Sequence, residues 1–185
     1  MLMLPVLESK RLIILPWIPE VDAPQASAIY SNSNVSSCMS CEDFHTQKEN
    51  ISCSNELNDE TGFWAILGKH TQELMGGILL RKLYDINENP TSNYEIGWHI
   101  HQEAWGKGYA TEAASIIMNY GLNTLNLPAL VAVIDPKNTA SLKVAKKLGM
   151  TSLGITDNYY NKGQELFYIK SECEKEKIIS RYLLS

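Results

Sequence analysis

The sequence lacks the features that mark membrane proteins, disulfide-stapled proteins and nucleic-acid-binding proteins. Its 185 residues contain no run of about 18 apolar residues, so no membrane-spanning helix is predicted. Four cysteines are too few and too unevenly spaced for a disulfide scaffold of this length. Acidic residues outnumber basic residues by 21 to 16, which gives a net charge of −5, whereas nucleic-acid binding needs clustered positive charge. We therefore expect a cytoplasmic protein that binds neither membranes nor nucleic acid.

The composition is that of an ordinary globular domain. Hydrophobic residues make up 44% of the chain and charged residues 20%. No internal repeat, low-complexity block or long linker divides the sequence, and the length corresponds to one domain. We predict a single domain over residues 1–170 and a tail of helical composition over residues 171–185. The sequence is compatible with a monomer or a homodimer.

Hydrophobic periodicity predicts an α+β (α/β) domain around a largely antiparallel sheet, in the order β-α-α-β-β-β-α-β-α-β-β. Strands are predicted at residues 11–15, 63–67, 74–80, 93–100 and 129–134. Two further strands are predicted, one before and one after residues 158–163. Helices are predicted at residues 23–30, 46–57, 111–124 and 138–148. In the strand at 93–100, Glu95 and His99 share one face, because side chains alternate along a strand.

A glycine-rich turn follows this strand, with the sequence Trp105-Gly106-Lys107-Gly108-Tyr109-Ala110. Two glycines separated by one residue allow several backbone N–H groups to point the same way, and the start of the next helix adds positive potential. Neither a Walker A loop nor a dinucleotide-binding fingerprint fits, because Gly108 follows Lys107 and Thr111 replaces the third glycine. The spacing alone is compatible with an anion-binding turn or with a plain tight turn before a helix.

The segment Trp-Gly-Lys-Gly-Tyr-Ala-Thr-Glu-Ala at 105–113 resembles the acetyl-CoA turn of the GNAT family of N-acetyltransferases. That family has the pattern Gln/Arg-x-x-Gly-x-Gly/Ala; Gly108 and Ala110 match it. Trp105 at the first position is usual in the RimJ/RimL branch, which acetylates ribosomal-protein N-termini. Residues 7–17, 94–98 and 138–150 resemble further segments of the family in the same order. The resemblance implies a twisted, mostly antiparallel sheet of six to seven strands, splayed between the fourth and fifth, with about four flanking helices.

The resemblance also implies acetyl-CoA as co-substrate, with no metal. The pantetheine arm would pair with the edge of the fourth strand as an added peptide strand does. The pyrophosphate would lie on the backbone N–H groups of the turn, and a residue at the start of the next helix would bind the pantetheine. The implied acetyl-CoA-binding residues are Trp98, His99, Ile100, Trp105, Gly106, Lys107, Gly108, Tyr109, Ala110, Thr111 and Asn138.

An amine acceptor must lose a proton before it attacks a thioester, because an ammonium nitrogen has no lone pair. The resemblance implies Glu95 as the general base, since family members often place a carboxylate there. The alternative is that Glu95 pairs with a cation and only holds the strand. His99 is the second candidate, because an unperturbed histidine titrates near pH 6.5.

The departing CoA thiolate needs a proton donor. Many family members supply a tyrosine at the position of Ala145, and the RimJ/RimL branch often relies on the serine four residues earlier, which is Ser141 here. The resemblance therefore implies Ser141 as the general acid. A helix serine bonded to a backbone carbonyl is the structural alternative.

The acceptor amine is less specified than the donor. In the family it enters near segments that correspond to residues 31–43 and 158–163, with Trp64, Tyr159 and Tyr160 as candidate lining residues and Glu42, Asp43, Asp59 and Glu60 as candidate acidic groups. Peptide N-termini, polyamines, amino acids and antibiotic amines all remain open, as do acyl groups other than acetyl. A non-catalytic CoA-binding sensor or interaction module is the alternative function.

Cysteines 38, 41 and 53 with His45 have the outline of a zinc or redox site. The second Cys-x-x-Cys pair of a structural zinc site is absent from the sequence. We therefore predict no metal.

Overall fold

The computed structural model describes residues 4–18, 21–22, 60–160 and 162–171. The strands in these ranges are β1 (Leu7–Glu8), β2 (Leu12–Pro16), β3 (Gly62–Gly68), β4 (Leu74–Tyr84), β5 (Pro90–Ile100), β6 (Ala129–Ile134), β7 (Thr151–Thr156) and β8 (Gln164–Lys170). The helices with known bounds are α1 (Tyr109–Asn119) and α2 (Thr139–Lys147), with a short 3-10 turn at Gln102–Ala104 and a π-helical turn at Tyr120–Thr124. The helices predicted at 23–30 and 46–57, the four cysteines and the tail beyond residue 171 lie outside the described residues.

Across the described residues the eight strands form one sheet in the order β1-β2-β3-β4-β5-β6-β8-β7. The pairs β1–β2, β2–β3, β3–β4, β6–β8 and β7–β8 are antiparallel, whereas β5 and β6 are parallel through Tyr94–Leu130 and Glu95–Val131. The predicted mostly antiparallel sheet is confirmed. The predicted count of six to seven strands is too low by one, because β1 has two residues and is too short to show any alternation.

The chain divides into two compact units. The first comprises Met1–Arg81 and Gly97–Ile116. Its core packs side chains of β3 and β4 against the residue that follows β2, and Trp17 meets Phe63 edge to face with ring centroids 5.0 Å apart. Burial of aromatic surface in this geometry stabilises the β2–β3–β4 part of the fold.

The second unit comprises Lys82–Ile96 and Ile117–Ser185. Its core contains Leu83, Val131 and Tyr159, with neighbouring side chains of β6 and β8 packed against them. β6 pairs with β8 along its whole length, from Ala129–Lys170 to Ile134–Glu165. The strand predicted at residues 129–134 from its apolar run therefore has the same bounds in the structure.

Two elements begin at least two residues earlier than the sequence predicts. β5 begins at Pro90, because proline is tolerated at the first residue of a strand and Thr91 donates a hydrogen bond from its hydroxyl to the Leu83 carbonyl at 2.6 Å. α1 begins at Tyr109, directly after Gly108, whose carbonyl accepts from the Glu112 N–H at 3.1 Å. Among the described residues, no helix is long and apolar enough to cross a membrane.

Candidate functional site

The glycine turn of the first unit is exposed and contains two glycines in the left-handed conformation. Gly106 and Gly108 have φ values of +74° and +81°, in the left-handed region that glycine adopts at little cost. Residues 105–108 are all exposed, and α1 starts immediately after them. A Cβ built on Gly106 would meet nothing within 4 Å, so this glycine is required by conformation and the space beside it is free. An exposed turn that ends at a helix N-terminus fits a pyrophosphate.

Arg11, between β1 and β2, bonds both to this turn and to the helix that follows it. Its Nε donates to Glu112 Oε2 at 2.7 Å, and its Nη1 donates to the Lys107 carbonyl at 2.9 Å. The Ser9 hydroxyl donates to Glu112 Oε1 at 2.7 Å, and the guanidinium carbon lies 4.6 Å from the centre of the Tyr109 ring. We call Ser9, Arg11 and Glu112 the clasp.

The clasp affects the ionisation of Glu112. Burial disfavours the charged carboxylate, but the hydrogen bonds from Ser9 and Arg11 and the charge of Arg11 together outweigh it, so the pKa of Glu112 lies below its ordinary value. The carboxylate therefore stays ionised at neutral pH, in the first turn of α1, where a negative charge is favourable.

The carboxyl end of β5 carries the residues implied for the pantetheine: Trp98, His99 and Ile100. The Ile100 carbonyl accepts from the indole N–H of Trp105 at 2.6 Å, which ties this end of β5 to the glycine turn. A Cβ built on Gly76 would lie 2.0 Å from the His99 carbonyl oxygen, so β4 approaches β5 as closely as only glycine permits. The strand is thereby held in place at the implied pantetheine residues.

His99 is a weak candidate for the base. Burial lowers its pKa to about 4, with a further contribution from the positive charge of Arg81. Its imidazole is therefore neutral at working pH and has little tendency to hold a proton.

Glu95 lies on β5 in the second unit, and only 5% of its surface is exposed. One of its carboxylate oxygens accepts a hydrogen bond from the Tyr160 hydroxyl. Buried carboxylates are uncommon in proteins unless they are partnered, and they cluster at functional sites. This geometry fits a base that is shielded from bulk water.

Asn138 and Ser141 lie together at the start of α2. Asn138 caps the helix, and its side-chain oxygen accepts from the Ser141 N–H at 3.0 Å. Ser141 and Val144 are half-buried, whereas Ala145 and Leu148 are buried, which confirms the predicted inner stripe of the helix.

The residues predicted to line the acceptor site differ in how far they are buried. Trp64 is fully buried and its indole N–H donates to the Pro5 carbonyl at 3.0 Å, so it is a core residue and the hypothesis that it lines a pocket is wrong. Tyr159 is buried in the core of the second unit, whereas Tyr160 is exposed. The residues 31–43 and the acidic Glu42, Asp43 and Asp59 lie outside the described part of the chain.

The predicted site residues thus form two sets, each described within its own unit. The first set is the end of β5 with the glycine turn; the second is Glu95 with the start of α2. The sequence analysis missed the clasp and the bond between Tyr160 and Glu95. Among the described residues, no group of three or more His, Cys, Asp or Glu side chains is placed to hold a metal ion, and Cys38, Cys41, His45 and Cys53 lie outside them.

A family model described as an acetyltransferase (GNAT) domain matches residues 11–151. The chain belongs to the GNAT family. The N-acetyltransferase YoaA of Bacillus subtilis (strain 168) is 31% identical over 162 residues, which cover 85% of this GNAT chain and 89% of YoaA. The spermidine N(1)-acetyltransferase of Escherichia coli (strain K12) is 36% identical over 66 residues, 35% of this chain and 36% of that enzyme. The crystal structure of a ribosomal-protein alanine acetyltransferase from Vibrio fischeri superposes with a TM-score of 0.68 at 16% identity, over 91% of this chain and 97% of that one.

These matches make the chain an N-acetyltransferase, of a family that uses acetyl-CoA as acetyl donor. The exposed glycine turn and the start of α1 fit the pyrophosphate of that donor.

Proposed function

We propose that this enzyme transfers the acetyl group of acetyl-CoA directly to a primary amine, with Glu95 as the general base. The observation that carries the proposal is the buried Glu95 carboxylate in the middle of β5, the strand whose carboxyl end carries the implied pantetheine residues. A carboxylate held away from bulk water yet hydrogen-bonded to an exposed side chain suits the removal of a proton from an incoming ammonium group.

The glycine turn supports the donor half of the proposal. Its exposed backbone, the left-handed glycines and the helix N-terminus favour a pyrophosphate, and Lys107 adds a positive charge. Asn138 is the residue that the resemblance implies for the pantetheine, and its side-chain oxygen caps α2. The clasp keeps the turn in the conformation that the pyrophosphate requires.

The chemistry needs three proton transfers. Glu95 takes a proton from the ammonium, and the freed amine forms the new C–N bond at the thioester carbonyl. The C–S bond then breaks while the thiolate takes the proton of the Ser141 hydroxyl, for which we propose the role of general acid, and the Ser141 oxygen takes the second proton from the nitrogen of the adduct, which leaves a neutral amide, the free thiol of CoA and an intact serine. Ser141 is half-buried on the inner stripe of α2, and its hydroxyl is not needed for the cap, which uses its backbone N–H.

For the acceptor we propose a cationic primary amine, either the N-terminus of a ribosomal-type protein or a polyamine such as spermidine. The net charge of −5 favours a positively charged acceptor over an anionic one. The relatives point to the same two classes, because one is named for a ribosomal protein and another for spermidine. The RimJ/RimL resemblance of the turn favours the protein N-terminus.

The test is a thiol-release assay with acetyl-CoA and a panel of acceptors: spermidine and short peptides that begin with Ser or Ala. Glu95→Gln keeps the shape of the side chain and removes the basic carboxylate, so we expect kcat to fall at least about 100-fold. Calorimetric titration should show acetyl-CoA binding that is the same in the variant and the wild type. Donor binding without thiol release from any acceptor would support a non-catalytic CoA-binding module, and unchanged turnover in Glu95→Gln would exclude Glu95 as the base.

A further inference from the structure

Glu95 and Tyr160 differ sharply in their access to solvent. Glu95 is 5% exposed and Tyr160 is 47% exposed, yet the Tyr160 hydroxyl donates directly to the Glu95 carboxylate. Solvent therefore reaches the Tyr160 side chain, whereas the Glu95 carboxylate is almost wholly covered. The question is whether the hydroxyl blocks the base or connects it to the acceptor.

Two neighbouring tyrosines reach the same face of β5. The Tyr159 hydroxyl accepts from the Asn93 side-chain amide at 3.0 Å, and the Tyr160 hydroxyl donates to Glu95. Asn93 and Glu95 are two residues apart and so lie on one face of the strand. Residues 157–160 form a bend, and the φ of +48° at Tyr160 lies in the left-handed region that a bulky residue rarely adopts.

The loop that carries Tyr160 is fixed on both sides. Tyr159 is buried in the core of the second unit, the Asn158 carbonyl accepts from the Ile86 N–H at 2.7 Å, and the Asp157 carboxylate accepts from the Gly163 N–H at 2.8 Å. These contacts fix the loop without involving the Tyr160 side chain. The fixed loop then places the Tyr160 hydroxyl against Glu95. A held hydroxyl that joins a buried base to the surface has the geometry of a proton relay.

We propose that Tyr160 is a catalytic residue that relays the acceptor's proton to Glu95. The acceptor ammonium gives a proton to the Tyr160 oxygen while the Tyr160 hydroxyl proton passes to the Glu95 carboxylate. The products are a neutral amine, an intact tyrosine and a protonated Glu95, which returns its proton to water along the same path after the acetylated product leaves. The inference rests on the proposed role of Glu95 as the base and adds the group that contacts the substrate.

The experiment compares Tyr160→Phe, Glu95→Gln and the double variant with the wild type, using acetyl-CoA with an Ala-initiated peptide and with spermidine. Tyr84→Phe is the matched control, because Tyr84 is 44% exposed, belongs to the same unit and has no assigned role. We expect Tyr160→Phe to lower kcat about 100-fold, as loss of general acid–base catalysis does, and Tyr84→Phe to behave like the wild type. Acetyl-CoA binding by calorimetry should be unchanged in each variant, which also shows that each is folded.

Two readouts separate a relay from a merely structural role. In the Glu95→Gln background, Tyr160→Phe should cause no further loss, because the proton has no destination. The deficit of Tyr160→Phe with the peptide should also shrink between about pH 7 and about pH 9, because an α-amine with a pKa near 8 is then increasingly unprotonated from the start.

The relay is overturned if Tyr160→Phe keeps wild-type kcat while Glu95→Gln does not, or if it lowers the kcat of both backgrounds by the same factor. A Glu95→Gln variant as active as the wild type overturns the proposed base itself, whatever Tyr160→Phe does. The failure of the relay and the failure of the proposed function therefore give different results.

Discussion

The clasp of Ser9, Arg11 and Glu112 makes a prediction about both stability and donor binding. Glu112→Gln removes one charge and leaves the size of the side chain unchanged. In the wild type Glu112 accepts from the Arg11 Nε at 2.7 Å and lies 2.5 Å from Arg11 Nη2, and its other oxygen accepts from Ser9 at 2.7 Å. In the variant an NH₂ group replaces one of the two carboxylate oxygens. This group is a donor and cannot accept a hydrogen bond from the guanidinium.

The magnitude follows from these contacts. Hydrogen bonds to a charged group contribute about 1.5–3 kcal/mol each, but solvent screens this pair because the Arg11 side chain is 42% exposed. We therefore expect the free energy of unfolding to fall by about 1–2 kcal/mol. The Arg11 bond to the Lys107 carbonyl weakens when Glu112 no longer orients the guanidinium. Ordering the turn should then cost about 1 kcal/mol more on binding, so the acetyl-CoA dissociation constant rises about fivefold.

The control is Glu8→Gln. Glu8 pairs with Lys69 at 2.6 Å in the same unit, but its side chain is 54% exposed, and exposed ion pairs contribute little to stability. Chemical denaturation measures the free energy of unfolding, and calorimetric titration measures the dissociation constant. The structural reasoning is refuted if the two variants have the same stability and the same affinity for acetyl-CoA. Because the pKa of Glu112 is lowered, its stabilisation is present above about pH 4.5 and the difference between wild type and Glu112→Gln should disappear as the pH falls through the folded-state pKa.

Two further predictions concern β4 and the carboxyl half of β5. Gly76→Ala should destabilise the protein by about 3 kcal/mol, because the new Cβ would lie 2.0 Å from the His99 backbone oxygen. Gly97→Ala should cost less, because the nearest atoms to its new Cβ belong to the Leu79 side chain at 3.2 Å or more, and thermal denaturation compares the two variants. The pKa of His99 falls from 6.5 to about 4 on folding, so the unfolded chain binds the proton more readily. The free energy of unfolding is unaffected by His99 above pH 6.5 and should fall by up to about 3 kcal/mol as the pH drops to 4. Melting temperatures measured over this pH range should fall less in His99→Gln than in the wild type.

Local patterns predicted the elements whose boundaries are set by nearby residues. β6 has the bounds that its apolar run indicates, because a buried strand must end where polar residues begin. α2 is delimited by the Asn138 cap and by Gly149 at φ +77°, both of which act within one turn of the helix. The left-handed glycines of the turn follow from the same local rule, because few other residues adopt that conformation.

Contacts between distant segments were beyond the reach of periodicity. Glu95 and Tyr160 are 65 residues apart, and Arg11 and Glu112 are 101 apart. Each of these four side chains occupies a position that looks like ordinary solvated surface or half-buried strand in the sequence. Only the topology brings them together, because Glu95 and the loop after β7 belong to one unit, and the β1–β2 turn and the first turn of α1 belong to the other. The resemblance therefore pointed to Glu95, but nothing in the sequence pointed to the tyrosine that bonds to it.

The backbone at Tyr160 gives an independent argument that its hydroxyl matters. A bulky residue with φ of +48° costs about 1–3 kcal/mol relative to a relaxed backbone, and glycine or asparagine would adopt this conformation more cheaply. Such strain persists only where the surroundings fix it, as the burial of Tyr159 and the bonds of Asn158 and Asp157 do here. The side chain gains little from packing, since nearly half of it is exposed. What the strained conformation provides is the placement of a hydroxyl on the Glu95 carboxylate, which is the arrangement that the proposed relay requires.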